Sequence, residues 1–426
     1  MSKGIGSVNA GALKKLLEGV SVEWVPLKNK ANYSSTRVLS STLDEKSFTG
    51  VDNLISDKGG RKDSTYSANT LNVTKYECND ILIGNIRPYL KKIWLATSEG
   101  GCSGDVLAIR INDSEERFTD PLYLYYCLSS DDFFRYNVQH SKGAKMPRGD
   151  KAAIMLYPIP IPYPSDPKKS LALQQEIAHI LDTFTELTTE LTTELTTRRK
   201  QFEYYREQLL TFEKGEMDMI PLGELGEFVR GGALQKKDFT KTGIGCIHYG
   251  QVFTHYGTYA DSTKTFISED FFKKARKAQP SDLIIATTSE NDEDVCKTVA
   301  WVGNHEIAVS SDAYIYKHAL DPKYVSYFFQ TEKFRKQKLP FITGTKVRRV
   351  SGKNLSKIMI PIPFHNDPEK SLHEQERIAS ILDKFDTLTN SISEGLPREI
   401  QQRQQQYEYY RDLLLSFPQT TKDIDA

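Results

Sequence analysis

The chain has 426 residues, 38% of them apolar and 26% charged, with 56 basic side chains balancing 56 acidic ones. That length exceeds one ordinary core and predicts more than one domain, and the composition excludes a disordered chain. With a formal charge of zero, any nucleic-acid surface is local and not a property of the whole molecule.

The opening "MSKGIGSVNAG" lacks the apolar core of a secretory signal, and no apolar run approaches the roughly 20 residues of a membrane helix. The expected setting is cytoplasmic. The five cysteines, Cys78, Cys102, Cys127, Cys246 and Cys296, are scattered without a C-x-x-C pair. They read as reduced, mostly buried thiols, with neither a zinc site nor a disulfide framework.

Residues 8–165 alternate short strand-like runs with turns, as in "DILIGNI" (80–86) and "DVLAIRI" (105–111). An aromatic stretch, "PLYLYYCLSSDDFFRY" (121–136), is then expected to form one helix. The loop "KGAKMPRGDK" (142–151) gathers Lys142, Lys145, Arg148 and Lys151 against one Asp. Such clusters suit phosphate contacts, and Arg can also take guanine edges bidentately. The competing reading is solvated surface. Arg87, in "RPYLKK" (87–92), is a weaker candidate of the same kind.

Next comes "PIPIPYPSDPKKSLALQQEIAHILDTF" (158–184), whose lead-in supplies an Asp and a Pro before a helix, with Ser170 the candidate N-cap. From Leu173 the apolar residues Ile177, Ile180, Leu181, Phe184, Leu187, Leu191, Leu195, Phe202, Tyr205, Leu209 and Phe212 recur mostly every three or four positions. This is the stripe of one long amphipathic helix. Inside it, "TELTTELTTELT" (185–196) writes one tetrapeptide three times. Each unit adds roughly 6 Å while keeping Leu on nearly the same face, so the repeat count sets a distance. Thr is a mediocre helix former, so the Leu stripe is expected to pack on a second helix.

The second half restates the first. Residues 216–365 hold the strand-like runs "DLIIATT" (282–288) and "DAYIYKH" (312–318), then the aromatic helix "PKYVSYFFQTEKFRK" (322–336). The loop "TGTKVRRVSGKNLSK" (343–357) follows, with Lys346, Arg348, Arg349, Lys353 and Lys357 and no acid. Earlier, "CIHYGQVFTHYG" (246–257) has the pattern of a strand pair and turn, and Tyr249, Gln251 and His255 in it can bond base edges or phosphate. His248 and His255 read as polar surface or satisfied core groups, not metal ligands.

The block "MIPIPFHNDPEKSLHEQERIASILDKF" (359–385) repeats residues 158–184 at a constant offset of 201, pairing Pro160 with Pro361, Gln174 with Gln375 and Asp182 with Asp383. The same offset relates Gly143, Lys145 and Arg148 to Gly344, Lys346 and Arg349. Recurrence in both halves shifts these loops from surface toward function. Downstream, "FEYYREQLLTF" (202–212) matches "YEYYRDLLLSF" (407–417) at an offset of 205, so the halves differ by four residues, the length of one TELT unit. In the second helix, which has Ser371 as candidate N-cap, "SEGLPRE" (393–399) brings Gly395 and Pro397 and predicts a kink or a two-part helix.

Several catalytic patterns are missing. No G-x-x-x-x-G-K-[ST] loop is present to cradle a phosphate, and no Pro-Pro exists for an Asn/Asp-Pro-Pro-aromatic amine-methylation turn. "SENDEDVCK" matches a nuclease metal cluster in composition alone. A self-contained methyltransferase or nuclease is disfavoured on these grounds. A two-headed protein-binding scaffold is the other alternative.

The duplicated "IPIP…DP.KSL…Q…I..ILD.F" and "F/YEYYR..LL.F" blocks, with the TELT repeats, resemble the specificity subunit of type I restriction-modification systems over essentially the whole chain. The resemblance implies an α/β (α+β) fold of two mixed target-recognition domains, each reading half of a split DNA site, separated by long antiparallel, coiled-coil-like helices about a pseudo-twofold. Expected bounds are 1–167 and 215–368 for the recognition domains, 168–214 and 369–418 for the spacer helices, and 419–426 for a flexible tail. Such a subunit is non-catalytic and holds no metal or cofactor. It assembles on double-stranded DNA with two modification subunits that methylate adenine using S-adenosylmethionine, and with restriction subunits that use ATP and Mg. The expected modification-subunit surface is the exposed face around Tyr204, Tyr205, Tyr409 and Tyr410, since the apolar stripes exceed what one helix seam needs. "EGLPRE" departs from a continuous second helix.

Overall fold

Proline donates no N–H, so a strand that alternates Pro and Ile can sit only at an edge or in an isolated ladder. Pro158–Pro162 takes this form, pairing antiparallel with Val22–Pro26 so that Pro160 faces Trp24. Met359–Pro363 pairs in the same way with Met217–Pro221, Pro361 facing Met219. The alternation turns Ile159, Ile161, Ile360 and Ile362 into the cores. At both places the next residue, Tyr163 or Phe364, has a left-handed backbone, with φ of 49° and 47°.

The computed structural model describes residues 10–210, 217–391 and 394–417; Phe212, Ile392 and the tail at 419–426 lie outside the described residues. The chain divides into two units, Met1–Leu191 with Ile400–Ala426, and Thr192–Glu399. In the first, one sheet orders Ala31–Tyr33, Val106–Ile111, Ile81–Gly84 and Ile93–Leu95, and another orders Arg37–Leu39, Asn72–Tyr76, Gly100–Cys102 and Phe48–Thr49. The second has a five-stranded sheet, Gly226–Arg230, Ala313–His318, Leu283–Ala286, Lys297–Trp301 and Tyr259–Ala260. A four-stranded sheet of Thr265–Ile267, Ile244–Ile247, Ile307–Val309 and Lys277–Ala278 accompanies it. The fold is mixed α/β in both units, and the four strand-like runs named from the sequence all lie on these sheets.

Each aromatic stretch is two helices and not one. Pro121–Leu128 stops before Asp131–Gln139 because Ser130 caps the second helix, its hydroxyl accepting the Phe133 N–H at 3.1 Å. Thr331 does the same for Glu332–Lys338 after Pro322–Phe328, at 3.1 Å from the Phe334 N–H. "CIHYGQVFTHYG" is likewise a strand followed by a helix, Tyr249–Thr254, capped by His248.

The TELT segment lies within one helix, Pro167–Leu209. The hydroxyls of Thr185, Thr188, Thr189, Thr196 and Thr197 donate to the carbonyl four residues back, at 2.9–3.1 Å. That bond satisfies each hydroxyl within the helix without raising the low helix propensity of Thr. Leu187, Leu191 and Leu195 are half-buried. In the second copy the helix is two-part, Pro368–Asn390 and Gly395–Ser416. The four extra residues of that copy thus correspond in number to positions 391–394, between its two helices.

The start of one repeat's helix packs on the end of the other's within each unit. Phe184 meets Tyr410 at 5.2 Å in the first, and Tyr205 stacks on Phe385 at 5.3 Å in the second. Ser170 and Ser371 are not the N-caps. Asp166 and Asp367 cap instead, accepting from Lys169 N at 3.2 Å and Lys370 N at 3.1 Å, with Pro at the first helical position. The two serines lie one turn inside and accept a 3.0 Å bond from Gln174 and Gln375.

Those glutamines fasten each mixed domain to its helix. Gln174 Oε1 accepts the Asp120 N–H and Gln375 Oε1 the Asp321 N–H, both at 3.0 Å. Buried Tyr123 and Tyr324 donate to the carbonyls of Pro160 and Pro361 at 2.8 and 2.7 Å. Tyr126 and Tyr327 donate to Asp182 and Asp383 at 3.1 and 2.7 Å. In the first unit Arg411, 2% exposed, meets Asp131 at 2.9 Å, and Lys58 and Lys91 reach the same carboxylate at 3.0 and 2.8 Å.

Candidate nucleic-acid interface

The two basic loops are the same object. Lys142 and Arg148 exchange both backbone hydrogen bonds at 2.8 Å, and Thr343 and Arg349 do so at 2.9 and 2.8 Å. Each pair closes a hairpin whose first turn residue, Gly143 or Gly344, has φ of 99° or 89°, a conformation costly for side-chain-bearing residues. The hairpins are pinned to matching sheet ends. Gly149 N–H donates to the Asn85 carbonyl at 3.1 Å, just past strand Ile81–Gly84, and Val350 N–H to the Thr287 carbonyl at 3.3 Å, just past Leu283–Ala286.

Charge differs between them. In the first hairpin Arg148 Nε meets Asp105 at 2.8 Å, and Lys142 pairs with Asp150. The Lys142 ammonium, then the Ala153 and Ala152 amides, hold the Asp150 carboxyl below its usual range. Lys151 lies over the Tyr33 ring at 5.9 Å, and Lys145 is exposed. Arg87, also exposed, joins this surface, its N–H donating to the Pro147 carbonyl at 2.7 Å. In the second hairpin Arg348 is held by Asp292 at 2.9 Å and donates to the Gly344 carbonyl at 2.6 Å. Lys346 and Arg349 are exposed and pair with no side chain among the described residues. Lys353 is exposed on a short helix, Gly352–Leu355, directly after the hairpin. This free positive charge suits phosphate or guanine edges.

The remaining candidates are not brought to these hairpins by any bond. Gln251 is engaged internally, its Oε1 accepting the His248 N–H at 2.9 Å and its Nε2 donating to Thr265 at 3.1 Å. Tyr249 is half-buried beside the His248 ring at 4.6 Å. His255 lines an open groove of about 1560 Å³ whose wall mixes acids such as Glu203, Glu207 and Glu293 with the bases Arg206, Lys297 and Lys338. Tyr204, Tyr205 and Tyr409 are exposed as expected, but Tyr410 is buried in the first core against Phe184. It is a core residue, not an outward face.

Two neighbours went unread in the sequence. Tyr89, exposed two residues after Arg87, could have been noticed in "RPYLKK". Asp105, the partner of Arg148, sits 43 residues away with no local signal. Among the described residues no group of three or more His, Cys, Asp or Glu could hold a metal ion, and no helix is long and apolar enough to cross a membrane. The five cysteines are free thiols, four of them buried.

Known proteins resemble this chain over nearly its whole length. The type I restriction modification DNA specificity domain matches residues 38–198 and again 214–402. The specificity subunit of the Escherichia coli type I restriction enzyme EcoR124I/EcoR124II is 33% identical over 95% of this chain and 97% of its own length. A putative type I restriction enzyme specificity subunit from Haemophilus influenzae is 30% identical over 96% of this chain and 99% of its own. Among solved structures, the S subunit from M. genitalium has the same fold, with a TM-score of 0.55 at 15% identity over 95% of this chain and 98% of that one. A chain from a type I R-M system studied for complex assembly and conformational transition aligns with a TM-score of 0.57 at 16% identity, over 92% and 97%. With the specificity domain present twice and relatives matched nearly end to end, the chain belongs to the specificity subunits of type I restriction-modification systems, which are non-catalytic.

Proposed function

We propose that this subunit recognises a bipartite, asymmetric DNA target and directs adenine methylation and restriction by partner subunits. Each mixed domain reads one half-site, and because the two domains differ in sequence, so do the half-sites. The observation that supports this best is the pair of basic hairpins closed by the same backbone bonds at matched positions in both halves. Lysine contacts to phosphate set the register, and arginine contacts to base edges carry sequence.

Methylating a base inside the duplex requires extruding it from the stack. In this reading that step falls to two modification subunits, which bring S-adenosylmethionine, while restriction subunits bring ATP and Mg. The exposed rings of Tyr204 and Tyr205 in one unit, and of Tyr409 in the other, each offer an amphipathic surface for a modification subunit. The test is to sequence methylated adenines in cells with and without this chain. A split motif that vanishes with the chain is expected; an unchanged methylation pattern overturns the reading.

A further inference from the structure

The two hairpins share one more feature, which charge does not explain. Met146 and Val347, related by the offset of 201, are exposed at 46% and 43%. Each stands between the lysine and arginine that the two loops have in common, Lys145 and Arg148 in one, Lys346 and Arg349 in the other. Hairpin tips are ordinarily built of Gly, Asn, Asp and Ser, and a lone exposed apolar side chain needs no explanation. Here, however, the residue type has changed from Met to Val while apolar character, position and exposure have stayed. The neighbouring positions have not kept their character: Ala144 stands opposite Thr345, and Pro147 opposite Arg348.

The bases of both hairpins are also tied down. Ile86 bridges Arg148 and Thr288 pairs with Arg349, so each hairpin is continued into the strand end beneath it. A two-stranded ribbon fits the major groove of B-DNA, where the thymine methyl is the apolar mark that a hydrocarbon side chain can read. Flanking cations would seat the ribbon against phosphates and leave the apolar tip pointing at base edges.

We propose that Met146 and Val347 are specificity-determining residues, each contacting a thymine methyl group in its own half-site. This rests on the reading that the hairpins meet DNA. The experiment uses the full chain with its modification subunits and a duplex carrying the target found by methylation mapping, with each thymine replaced in turn by deoxyuridine, which lacks that methyl. Burial of one methyl predicts an affinity loss of about fourfold at one thymine or more in each half-site. In Val347→Ser the penalty should vanish in the second domain's half-site and persist in the other, and Met146→Ser should do the reverse. Thermal melting should match the parent in both variants, since the tips are exposed.

Deoxyuridine penalties absent from the parent, or unchanged in the serine variants, overturn the proposal. So does a rise in 2-aminopurine fluorescence that depends on the tip in the absence of a methyl effect, which would make it a wedge between base steps. Failure of the underlying reading has a separate sign: Lys346→Ala and Arg349→Ala would then leave both affinity and its salt dependence as in the parent.

Discussion

Gln174, on the first long helix, accepts the backbone N–H of Asp120 at 3.0 Å, in front of the short aromatic helix that Asp120 itself caps. Its amide nitrogen donates to the Phe118 carbonyl and to Ser170 at 3.1 and 3.0 Å, so one buried carboxamide ties the domain to its helix. Gln375 repeats the bond to Asp321. Replacing either glutamine by alanine strands a backbone N–H in the interior and leaves a void, which should cost about 2–3 kcal/mol. Urea unfolding should show Gln174→Ala loosening the first unit and Gln375→Ala the second; unchanged midpoints would make these bonds dispensable.

Burial of the Asp131 carboxyl opposes its ionisation, but hydrogen bonds from Lys91 and Lys58, with the charge of Arg411, outweigh that and hold its pKa well below the usual carboxylate range. A depressed folded pKa means stability that is present above the ordinary value of about 4 and lost as pH falls below it. For a carboxyl one-third exposed the contribution is discounted to about 1–2 kcal/mol. Asp131→Asn should lose that much at pH 7, and the gap to the parent should narrow below about pH 4. A constant gap would assign the loss to packing.

His318 carries the opposite charge type with the same direction of effect. Burial lowers its pKa to about 4, while its Nδ1 accepts the Leu320 N–H at 3.2 Å. The unfolded chain takes up a proton near pH 6.5 and the folded one does not, so stability is full above that value and falls as pH drops toward 4. Between pH 7 and 5 the second unit should lose on the order of 2 kcal/mol. His318→Phe should flatten this slope even if it lowers stability at pH 7, and an equal slope would point to other groups.

Among the described residues the Arg349 guanidinium has no side-chain partner, whereas Arg348 is held by Asp292. We expect Arg349→Ala to weaken DNA binding by about 1–3 kcal/mol with loss of discrimination if it reads a base, or to lower the salt slope by about one unit if it meets phosphate. Arg348→Ala should do less. Salt titrations of both variants decide the matter, and an equal or larger effect for Arg348 would reverse the assignment.

Deleting Thr189–Thr192 removes roughly 6 Å and slightly more than a turn, so the half-buried leucines nearly keep their face. Methylation mapping should show both half-sites retained with a nonspecific spacer shorter by about one or two base pairs, at roughly 3.4 Å each. Deleting two or three residues should turn the stripe off its seam and abolish function. An unaltered spacer would mean that spacing is set elsewhere.

Features carried by repetition were readable in the sequence: a constant offset needs no knowledge of folding, and it located both hairpins and both helices. Long-range pairings were not. Nothing near Arg148 announces Asp105, and nothing in "PIPIP" announces Val22–Pro26 as its partner. Local errors arose where two cap residues competed. Ser170 has cap chemistry, but Pro167 as the first helical residue moves the cap to Asp166. Ser130 stands in the polar break "SSDD" between two aromatic stretches, where its hydroxyl ends one helix and starts another. Tyr410 shared a motif with exposed tyrosines, and only the helix facing it decides which ring is covered.

The threonine hydroxyls in the TELT segment bond to carbonyls four residues back, which is one repeat unit back. Thr189 and Thr196 thus bond within the repeated segment, while Thr185 and Thr188 reach back to Leu181 and Phe184 before it. A gain or loss of one unit keeps the four-residue spacing of these bonds along the helix. On the proposed reading, in which the helix sets the spacing of the target, such a segment would let one genetic event change that spacing while leaving both hairpins as they are.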